Sequence, residues 1–505
     1  MKRLQWIAVW AGTIGVVIGA CGGGGEEGEE AGSGITMSAS GISESDTDGM
    51  TSVGEEEDTG EKLDVGGNDS GPSGCANQDI GCTDKIDLLF VIDNSGTMAV
   101  EQENLARNFP LLIQQLEMLT DSAGNAVMPD VQIMVTTSDF GNPLCTPFEP
   151  AGYEPARGRP VNTACVDRLQ DFTGLGTSPD VEEGACNNVC PTAVAPDGNF
   201  IAFGPGGVDN IPDSVMPADI NGDGMDESPV AQALSCIGPQ GINGCGYESQ
   251  LENMLQALNP DAPWNQGEGR FLRPDALLAV AMVSDEVDCS VMDYDIMMDE
   301  QYQEIDPDTM EAEPSSAICQ NAGVSCNGPD AMGIYSDCMS VDNGALQPIT
   351  RYTNYLINEL RENQNKEVVM LGILGVPEVT AHNENPPFEP TAGGLMDLVY
   401  RNWREGEFPA GDILPDEFAN GVTADDKQHE FGIGPGCTGG DAVSGFTGQA
   451  TPATRIFEVC EALNIERQDG TVDVRCCIES ICDDDFSAAI RCLTGIIGEA
   501  IVAPG

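Results

Sequence analysis

The sequence predicts an α/β fold built on a doubly wound, mostly parallel sheet, and three observations support this. Continuous apolar runs, as in buried parallel strands, lie at residues 86–92, 131–137, 276–283 and 368–374. Segments with the apolar spacing of amphipathic helices lie at residues 98–119, 248–258 and 347–362. Two of the apolar runs lead into an Asp: Asp93 follows the first directly, and Asp285 follows the third after one residue. Strands alternating with helices are typical of a doubly wound sheet.

Residues 1–21 are expected to be a bacterial lipoprotein signal peptide. Lys2 and Arg3 precede an apolar run at residues 6–20, and Cys21 follows it. A positive end, an apolar core and small residues before a cysteine are typical of such signals, in which Cys21 would carry the lipid. Gly22 after the cysteine then implies an exported protein anchored to an outer membrane, at the cell surface or on its periplasmic face. The alternative is an uncleaved signal anchor, although the run is short for a membrane span.

Residues 22–80 are expected to form a disordered acidic linker. They are rich in Gly, Ser and Glu and contain few apolar side chains that could offset the entropy of ordering. About 60 residues of this composition would reach about 40 Å, enough to hold a folded domain away from a membrane.

The charge balance excludes one class of partner. The chain has 84 acidic and 20 basic residues, a formal net charge of −64. Such a field repels nucleic acids and anionic lipid surfaces and attracts cations. We therefore expect no nucleic-acid partner, and contact with a membrane only through the lipid anchor.

Cysteine content agrees with export. Of the 19 cysteines, 18 remain once Cys21 is set aside, and an oxidising compartment favours disulfides. Their pairing cannot be deduced from sequence. The alternative, zinc sites at Cys186 and Cys190 or at residues 476–482, lacks nearby histidines.

The folded part is predicted to have two portions. Residues 81–380 would form the α/β domain, with Cys-rich insertions at about residues 140–245 and 289–345. Residues 381–505 would form a Cys-containing extension that packs on this domain and ends in a helix at residues 486–501.

The loop after the first apolar run carries a candidate metal site. Asp93, Ser95 and Thr97 follow the predicted strand and precede the predicted helix. A carboxylate and two hydroxyls on one tight loop can converge on a hard divalent cation. The alternative is an ordinary strand-to-helix turn capped by Asp93 and Ser95.

Asp285 is the second candidate ligand, because it follows the apolar run at residues 276–283. Ligands of open α/β sheets bind beyond the carboxyl ends of the strands, so the two aspartates are expected to meet there. The alternatives for Asp285 are a solvated acidic turn or a helix N-cap.

The motif at residues 93–97 resembles the first segment, D-x-S-x-S, of the metal-ion-dependent adhesion site (MIDAS) of von Willebrand factor type A (vWA) domains, with Thr97 in the last position. The third MIDAS segment is similar to the position of Asp285. Residues 135–139, 245–248 and 271–290 resemble Cys-rich vWA lipoproteins of myxobacterial type. The resemblance covers about residues 84–375 and, more loosely, the tail to residue 505.

This resemblance implies a bound Mg²⁺, Mn²⁺ or Ca²⁺ ion. An exposed carboxylate of a protein ligand would complete the coordination of this ion. The chain departs from the family at the second MIDAS segment, where a Thr is usual. Residues 244–249 contain no Thr, so Glu248 or Ser249 would supply the oxygen. Thr137 and Asp139 are also within plausible reach.

A second cation site is expected at residues 219–227, which match the D-x-N-x-D-G core of calcium loops. The predicted ligands are Asp219, Asn221, Asp223, Met225 and Glu227. Pro217 and Pro229 argue against a full EF-hand. The alternative is a plain acidic Asp-Gly turn.

Enzymatic motifs are absent from the sequence: it has no G-x-S-x-G and no H-E-x-x-H. The two histidines, His382 and His429, are expected at the surface. The favoured function is metal-dependent binding of a protein ligand in cell adhesion, by a protein that is not an enzyme. The alternatives are a calcium-stabilised structural protein of the envelope and a hydrolase with unrecognised chemistry.

Overall fold

A seven-stranded sheet forms the centre of the protein. The computed structural model describes residues 84–119, 126–127, 129–174, 182–222, 224–406, 411–440 and 447–501. The predicted signal peptide, with Cys21, and the predicted linker at residues 22–80 lie outside these ranges.

The strands of the central sheet are β1 (Lys85–Ile92), β2 (Asp130–Thr137), β3 (Ile201–Gly204), β4 (Val208–Asp209), β5 (Leu277–Val283), β10 (Val368–Leu374) and β17 (Cys476–Ser480). Five two-stranded ribbons use the other strands: β6 (Glu304–Ile305) with β7 (Ala312–Glu313), β8 (Val324–Asn327) with β9 (Ser336–Ser340), β11 (Val379–His382) with β12 (Pro390–Gly393), β13 (Cys437–Gly440) with β14 (Thr447–Ala450), and β15 (Ile465–Glu466) with β16 (Val472–Asp473).

The α-helices are α1 (Ala99–Glu117), α2 (Gly184–Asn187), α3 (Pro229–Ile237), α4 (Gln250–Ala257), α5 (Ala317–Gly323), α6 (Ile349–Thr353), α7 (Pro415–Ala419), α8 (Ala424–Phe431), α9 (Thr454–Glu461) and α10 (Ser487–Ile501). A π-helical segment, Asn354–Asn363, continues α6. Short 3-10 helices occupy Cys165–Phe172, Pro263–Asn265, Tyr294–Met298 and Gly394–Asp397.

The strand order is β17-β10-β5-β1-β2-β3-β4. The first five strands of that order run parallel, and the β3–β4 hairpin is added antiparallel at one edge. The chain moves outward in one direction from β1 to β2 and in the other from β5 to β10 and β17. The order therefore reverses between β1 and β5, which is where a doubly wound sheet opens a crevice for a ligand.

Helices cover both faces of the sheet, because successive side chains of a strand point to opposite faces. Phe90 of β1 belongs to a core shared with α1, α3 and α10, whereas Leu89 belongs to a core shared with α4, the π-helical segment and α9. Both side chains are fully buried. This two-sided burial explains why the strands read as continuous apolar runs.

Helix α1 continues through Pro110, which has no N–H to give to the carbonyl of Ala106. The Ser235 hydroxyl of α3 donates a hydrogen bond to that carbonyl at 3.3 Å. A neighbouring helix thus supplies the donor that the proline removes.

Eight disulfides cross-link the described part of the chain, which confirms the predicted disulfide bonding. The pairs are Cys145–Cys245, Cys165–Cys186, Cys190–Cys236, Cys289–Cys319, Cys326–Cys338, Cys437–Cys482, Cys460–Cys476 and Cys477–Cys492. The cysteines weighed above as zinc ligands are all used in these bonds, which argues against zinc because zinc requires thiolates.

The predicted α/β class with a mostly parallel sheet is confirmed. The four predicted strands correspond to β1, β2, β5 and β10. Residues 381–505, expected to pack on the domain, also supply the parallel edge strand β17 and the covering helix α10. Among the described residues, no helix combines the length and the apolar character needed to cross a membrane.

A buried ion pair connects the segment after β5 to α9. Arg455 donates to the Asp288 carboxylate at 2.9 Å, and the side chains are 1% and 0% exposed. The same carboxylate accepts hydrogen bonds from the N–H of Leu251 and the hydroxyl of Ser290. Asp288 therefore holds together α4, α9 and the segment that carries Asp285.

We predict that Arg455→Met lowers the free energy of unfolding by about 3–5 kcal/mol, because the buried Asp288 carboxylate loses its cation. Arg467→Met is the matched control, since the Arg467–Asp473 pair lies at the surface. Denaturant unfolding with the disulfides intact measures both variants. Equal effects of the two substitutions would contradict the role given to Asp288.

Candidate metal site at the switch point of the sheet

The candidate site lies where β1 and β5 end, at the point where the strand order reverses. Ile92 and Val283, the last residues of these strands, are register partners, and the N–H of Asp93 donates to the carbonyl of Val283 at 2.9 Å. The parallel register therefore brings together the two loops that carry Asp93 and Asp285.

Asp93 is fully buried and held by hydrogen bonds on both carboxylate oxygens. Its Oδ1 accepts from the N–H of Ser95 at 2.9 Å and from the hydroxyl of Ser138 at 3.1 Å. Its Oδ2 accepts from the hydroxyl of Ser284 at 2.5 Å. Three strand ends thus fix one carboxylate, since Ser138 follows β2 and Ser284 follows β5.

The loop after β1 is held against a second loop by close backbone contact. The N–H of Gly244 donates to the carbonyl of Asn94 at 2.7 Å. A Cβ at Gly244 would lie 2.5 Å from the side chain of Asn94, so only glycine fits at this approach. Gln102 of α1 adds two bonds, from its amide nitrogen to the carbonyls of Asp93 and Gly241.

Thr97 and Asp285 meet directly. The Thr97 hydroxyl donates to Oδ2 of Asp285 at 2.5 Å, although the residues are 188 positions apart in sequence. The backbone of Asp285 is held by Thr451, whose N–H and hydroxyl donate to its carbonyl at 2.8 and 3.2 Å. Thr97 is exposed, whereas Asp93, Ser95 and Asp285 are buried, so solvent reaches the site from the Thr97 side.

Glu248 and Ser249 lie in the loop just before α4. The carbonyl of Glu248 accepts from the N–H of Cys289, and the N–H of Ser249 donates to the carbonyl of Ser138. The Ser249 hydroxyl donates a hydrogen bond to the backbone carbonyl of Cys289 at 3.0 Å. Glu248 is 1% exposed, and its Oε1 has no hydrogen-bond partner. Glu248 is thus the better candidate of the two for an oxygen ligand.

Two disulfides beside the site stabilise these loops. Cys145–Cys245 connects the segment after β2 to the Glu248 loop, and Cys289–Cys319 connects the segment after β5 to α5. They form a small separate core with Tyr247, Val287, Ile296, Met297, Ile318, Ala322 and Leu346. This core supports loops that lie above the sheet and have little other apolar contact.

Burial dominates the electrostatics of the site. It raises the pKa of Asp93, and hydrogen bonds from Ser284, Ser95 and Ser138 partly offset the rise. Burial, with the neighbouring Asp93 charge, raises the pKa of Asp285 to about 7, while the Thr97 hydroxyl acts in the opposite direction.

The pKa of Glu248 lies well above its usual range, first because of burial and then because of Asp93, Glu286 and Asp285. The pKa of Glu286 is raised in the same way, but the Lys427 ammonium of α8 partly compensates. Four buried carboxylates therefore share this site, and they oppose one another's ionisation.

Four residues of the site were not predicted from the sequence: Ser138, Gln250, Ser284 and Glu286. The Gln250 amide donates to the Ser284 hydroxyl at 2.7 Å, which leaves the hydroxyl proton free for Asp93. Ser284 and Glu286 flank Asp285, and Ser138 follows Thr137, so position just beyond a strand end was the available signal. No sequence signal marks Gln250.

Thr137 and Asp139, considered as further ligands, are used by a neighbouring network. The Thr137 hydroxyl accepts from the N–H of Asp139. Asp139 accepts from the Tyr153 hydroxyl at 2.8 Å and from the N–H of Cys245 at 3.2 Å, and Tyr153 accepts from Asn94 at 2.8 Å. This network connects the loops around the site.

The donor set fits a hard divalent cation. Three buried oxygens of the predicted ligands lack hydrogen-bond partners: Ser95 Oγ, Glu248 Oε1 and Asp285 Oδ1. A buried oxygen without a hydrogen bond destabilises the fold unless a bound ligand interacts with it. A ligand set made only of oxygens suits Mg²⁺, Mn²⁺ or Ca²⁺. Within the described ranges, no three Asp, Glu, His or Cys side chains form a ready-made metal cluster. The predicted site does not require one, because it also uses hydroxyl oxygens.

The predicted calcium loop is only partly described, since Asp223 lies outside the described ranges. Both carboxylate oxygens of Asp219 accept backbone N–H groups, of Gly222 at 2.7 Å and Gly224 at 3.0 Å. Glu227 accepts from the N–H of Ile220 at 2.8 Å. The acidic side chains thus organise the turn themselves, and calcium at Asp219, Asn221, Asp223, Met225 and Glu227 stays a prediction.

The two histidines are partly buried. His382 is half-buried and lies 2.9 Å from the Glu479 carboxylate, and His429 is half-buried in α8. Both are less exposed than expected. A cavity of about 300 Å³ lies at the β3–β4 edge, lined in part by Asp130 at the opposite end of β2. It is remote from the candidate site.

No known protein-family model and no curated protein matches this chain. The function is therefore inferred from the site itself.

We predict a pH dependence of stability for the protein in EDTA. Asp285 binds its proton more tightly in the folded state than in the unfolded state, so its protonated form stabilises the fold. This contribution is fully present below pH about 4 and is lost as the pH rises through about 7. A tenfold difference in proton affinity between the folded and unfolded states corresponds to about 1.4 kcal/mol of stability. Asp285→Asn should flatten this slope in urea unfolding. An unchanged slope, with the exposed-site control Asp261→Asn also unchanged, would contradict the prediction.

Proposed function

We propose that this protein is a surface-anchored binding protein that recognises a protein ligand through a divalent cation. Asp93, Ser95, Thr97 and Asp285 would hold the ion, and Glu248 would take the place of the usual MIDAS Thr. The bound ion would supply a coordination position that an exposed carboxylate of the ligand can fill. The domain would be of the vWA type, and the lipid on Cys21 would anchor it to the outer membrane.

The observation that carries this proposal is the contact between Thr97 and Asp285 beside unsatisfied oxygens. The Thr97 hydroxyl donates its proton to Asp285 at 2.5 Å, which leaves its lone pairs available to a cation. Oδ1 of the same Asp285 and Oγ of Ser95 have no hydrogen-bond partner. A hydroxyl, a second hydroxyl and a carboxylate from two distant loops thus present free lone pairs in one place.

The charge of the site also supports a cation. Asp93, Glu248, Asp285 and Glu286 are each at most 7% exposed. Lys427 is the cation that favours ionisation of Glu286, and it also pairs with Glu417 at 2.8 Å. One shared ammonium cannot compensate four buried carboxylates, whereas a divalent ion can compensate two of them.

We predict that Asp93→Asn weakens Mg²⁺ or Mn²⁺ binding by on the order of 100- to 1000-fold, because it removes a full charge at close range in a partly desolvated site. Titration calorimetry measures this change. Pull-down from native cell surfaces with and without Mg²⁺ or Ca²⁺ measures loss of the ligand.

The control is Asp261→Asn, which makes the same change of charge at an exposed turn. Circular dichroism should give the same spectrum for both variants and the wild type, since the disulfides are retained. Full ligand capture by Asp93→Asn in Mg²⁺ would rule out the adhesion mechanism.

The second candidate function is structural: a calcium-stabilised envelope protein without a metal-dependent ligand. Burial of every ligand proposed for the site at the ends of β1 and β5, except Thr97, favours it. The use of Asp219 and Glu227 to organise their own turn also favours it. Calcium at residues 219–227 would then hold the loop before α3.

EDTA separates the two candidates. For a binding protein, we expect EDTA to abolish ligand capture with a small loss of thermal stability. For a structural protein, we expect a large fall in Tm and no divalent-dependent capture at any concentration.

A further inference from the structure

A carboxylate stands where the resembled family has a neutral hydroxyl, and its surroundings bear on how the site is regulated. Glu248 precedes α4, and its neighbour Ser249 donates a backbone hydrogen bond to Ser138 at 2.9 Å. Ser138 in turn donates its hydroxyl to Asp93 at 3.1 Å. One residue, Ser138, and two hydrogen bonds therefore connect the Glu248 loop to the carboxylate at the centre of the site.

Glu248 is held in this place from its other side as well. The N–H of Cys289 donates to the Glu248 carbonyl, and Asn253 of α4 donates to the carbonyls of Ser138 and Ser249 at 2.6 and 2.9 Å. The disulfide Cys145–Cys245 closes the loop three residues before Glu248. The backbone of Glu248 is therefore fixed between the ends of β2 and β5.

The side chain of Glu248 is less well satisfied by hydrogen bonds than that of Asp93, which accepts them on both oxygens. Asp93 accepts three hydrogen bonds, Asp285 accepts one from Thr97, and Glu286 lies near Lys427. The Oε1 atom of Glu248 has no hydrogen-bond partner, and the residue is 1% exposed. A buried carboxylate oxygen without a partner is unfavourable unless a cation or a proton compensates it.

We propose that Glu248 is an internal carboxylate ligand that occupies the coordination position a partner carboxylate would use, and so holds the site closed. This inference rests on the proposed function. A Thr in its place would carry no charge, would leave the ion with one more uncompensated charge and would leave that coordination position to water. With Glu248 bound, a partner carboxylate must displace an anion of the same chain, which lowers its apparent affinity.

The test measures the hydration of Mn²⁺ bound to the full-length protein, by water-proton relaxation. Wild type, Glu248→Thr and Glu248→Gln are compared. Each is also measured with Asp93→Asn added, and that signal, from Mn²⁺ bound at other places on the protein, is subtracted. We expect Glu248→Thr to bind Mn²⁺ about tenfold more weakly or worse, to gain about one rapidly exchanging water, and to lose that water when acetate is added. The wild type should not respond to acetate.

Glu286→Gln is the matched control, because it removes the same charge from the same site without changing the Glu248 loop. We expect it to weaken Mn²⁺ binding and to leave the number of exchanging waters at the wild-type value. Glu248→Gln keeps the shape of the side chain and shows whether a change in Glu248→Thr comes from misfolding, with near-UV circular dichroism as the check.

The outcomes separate this inference from the proposed function. If Mn²⁺ binding depends on Asp93 but the bound ion has the same number of exchanging waters in wild type and Glu248→Thr, the role of Glu248 is wrong. The proposed function is not contradicted by that result. A gain of water in Glu286→Gln instead would also overturn the role of Glu248. Absence of Asp93-dependent Mn²⁺ binding in the wild type would overturn both.

Discussion

Burial of several carboxylates at one sheet edge is the constraint on which the rest of this structure depends. Asp93, Glu248, Asp285 and Glu286 are almost completely removed from water. Each raises the cost of ionising the others, and a lone buried carboxylate is already unfavourable. A fold keeps such a set when hydrogen bonds and cations compensate it. The hydroxyls of Ser138, Ser284 and Thr97 supply the hydrogen bonds, and the raised pKa values allow protons to neutralise part of the charge. A divalent ion is the further compensation that we propose.

The sheet creates this concentration of charge through its topology. Parallel pairing of β1 with β5 puts their carboxyl ends side by side, and the reversal of strand order between them leaves a crevice there. The helices that cover both faces exclude water from the strands, so polar side chains gather just beyond the strand ends. A site in this position can have ligands from loops far apart in sequence while each remains on a rigid support.

The disulfides have a related role. The insertions after β2 and β5 have little apolar core of their own, and the small cluster around Tyr247 is built on Cys145–Cys245 and Cys289–Cys319. Cross-links restrict the unfolded chain and hold such loops where burial alone would not. Glu248 and Asp285 both lie in segments stabilised this way. The chain is strongly acidic and still brings several carboxylates close together. Disulfide bonds and paired cations such as Arg455 offset the repulsion between these carboxylates.

The sequence by itself determined the α/β class, the strands β1, β2, β5 and β10, and the two loops that carry Asp93 and Asp285. Local patterns are sufficient for these, since a strand buried on both faces is apolar throughout and a ligand loop follows its end. The tertiary structure decided which other side chains join them. Ser138, Gln250, Ser284 and Glu286 acquire their roles only through pairing between strands distant in the chain, as do the disulfide partners and the position of β17 at the sheet edge. Our proposal of Glu248 rather than Ser249 as a ligand likewise rests on burial and on the hydrogen bond that uses the serine hydroxyl, which no spacing in the sequence encodes.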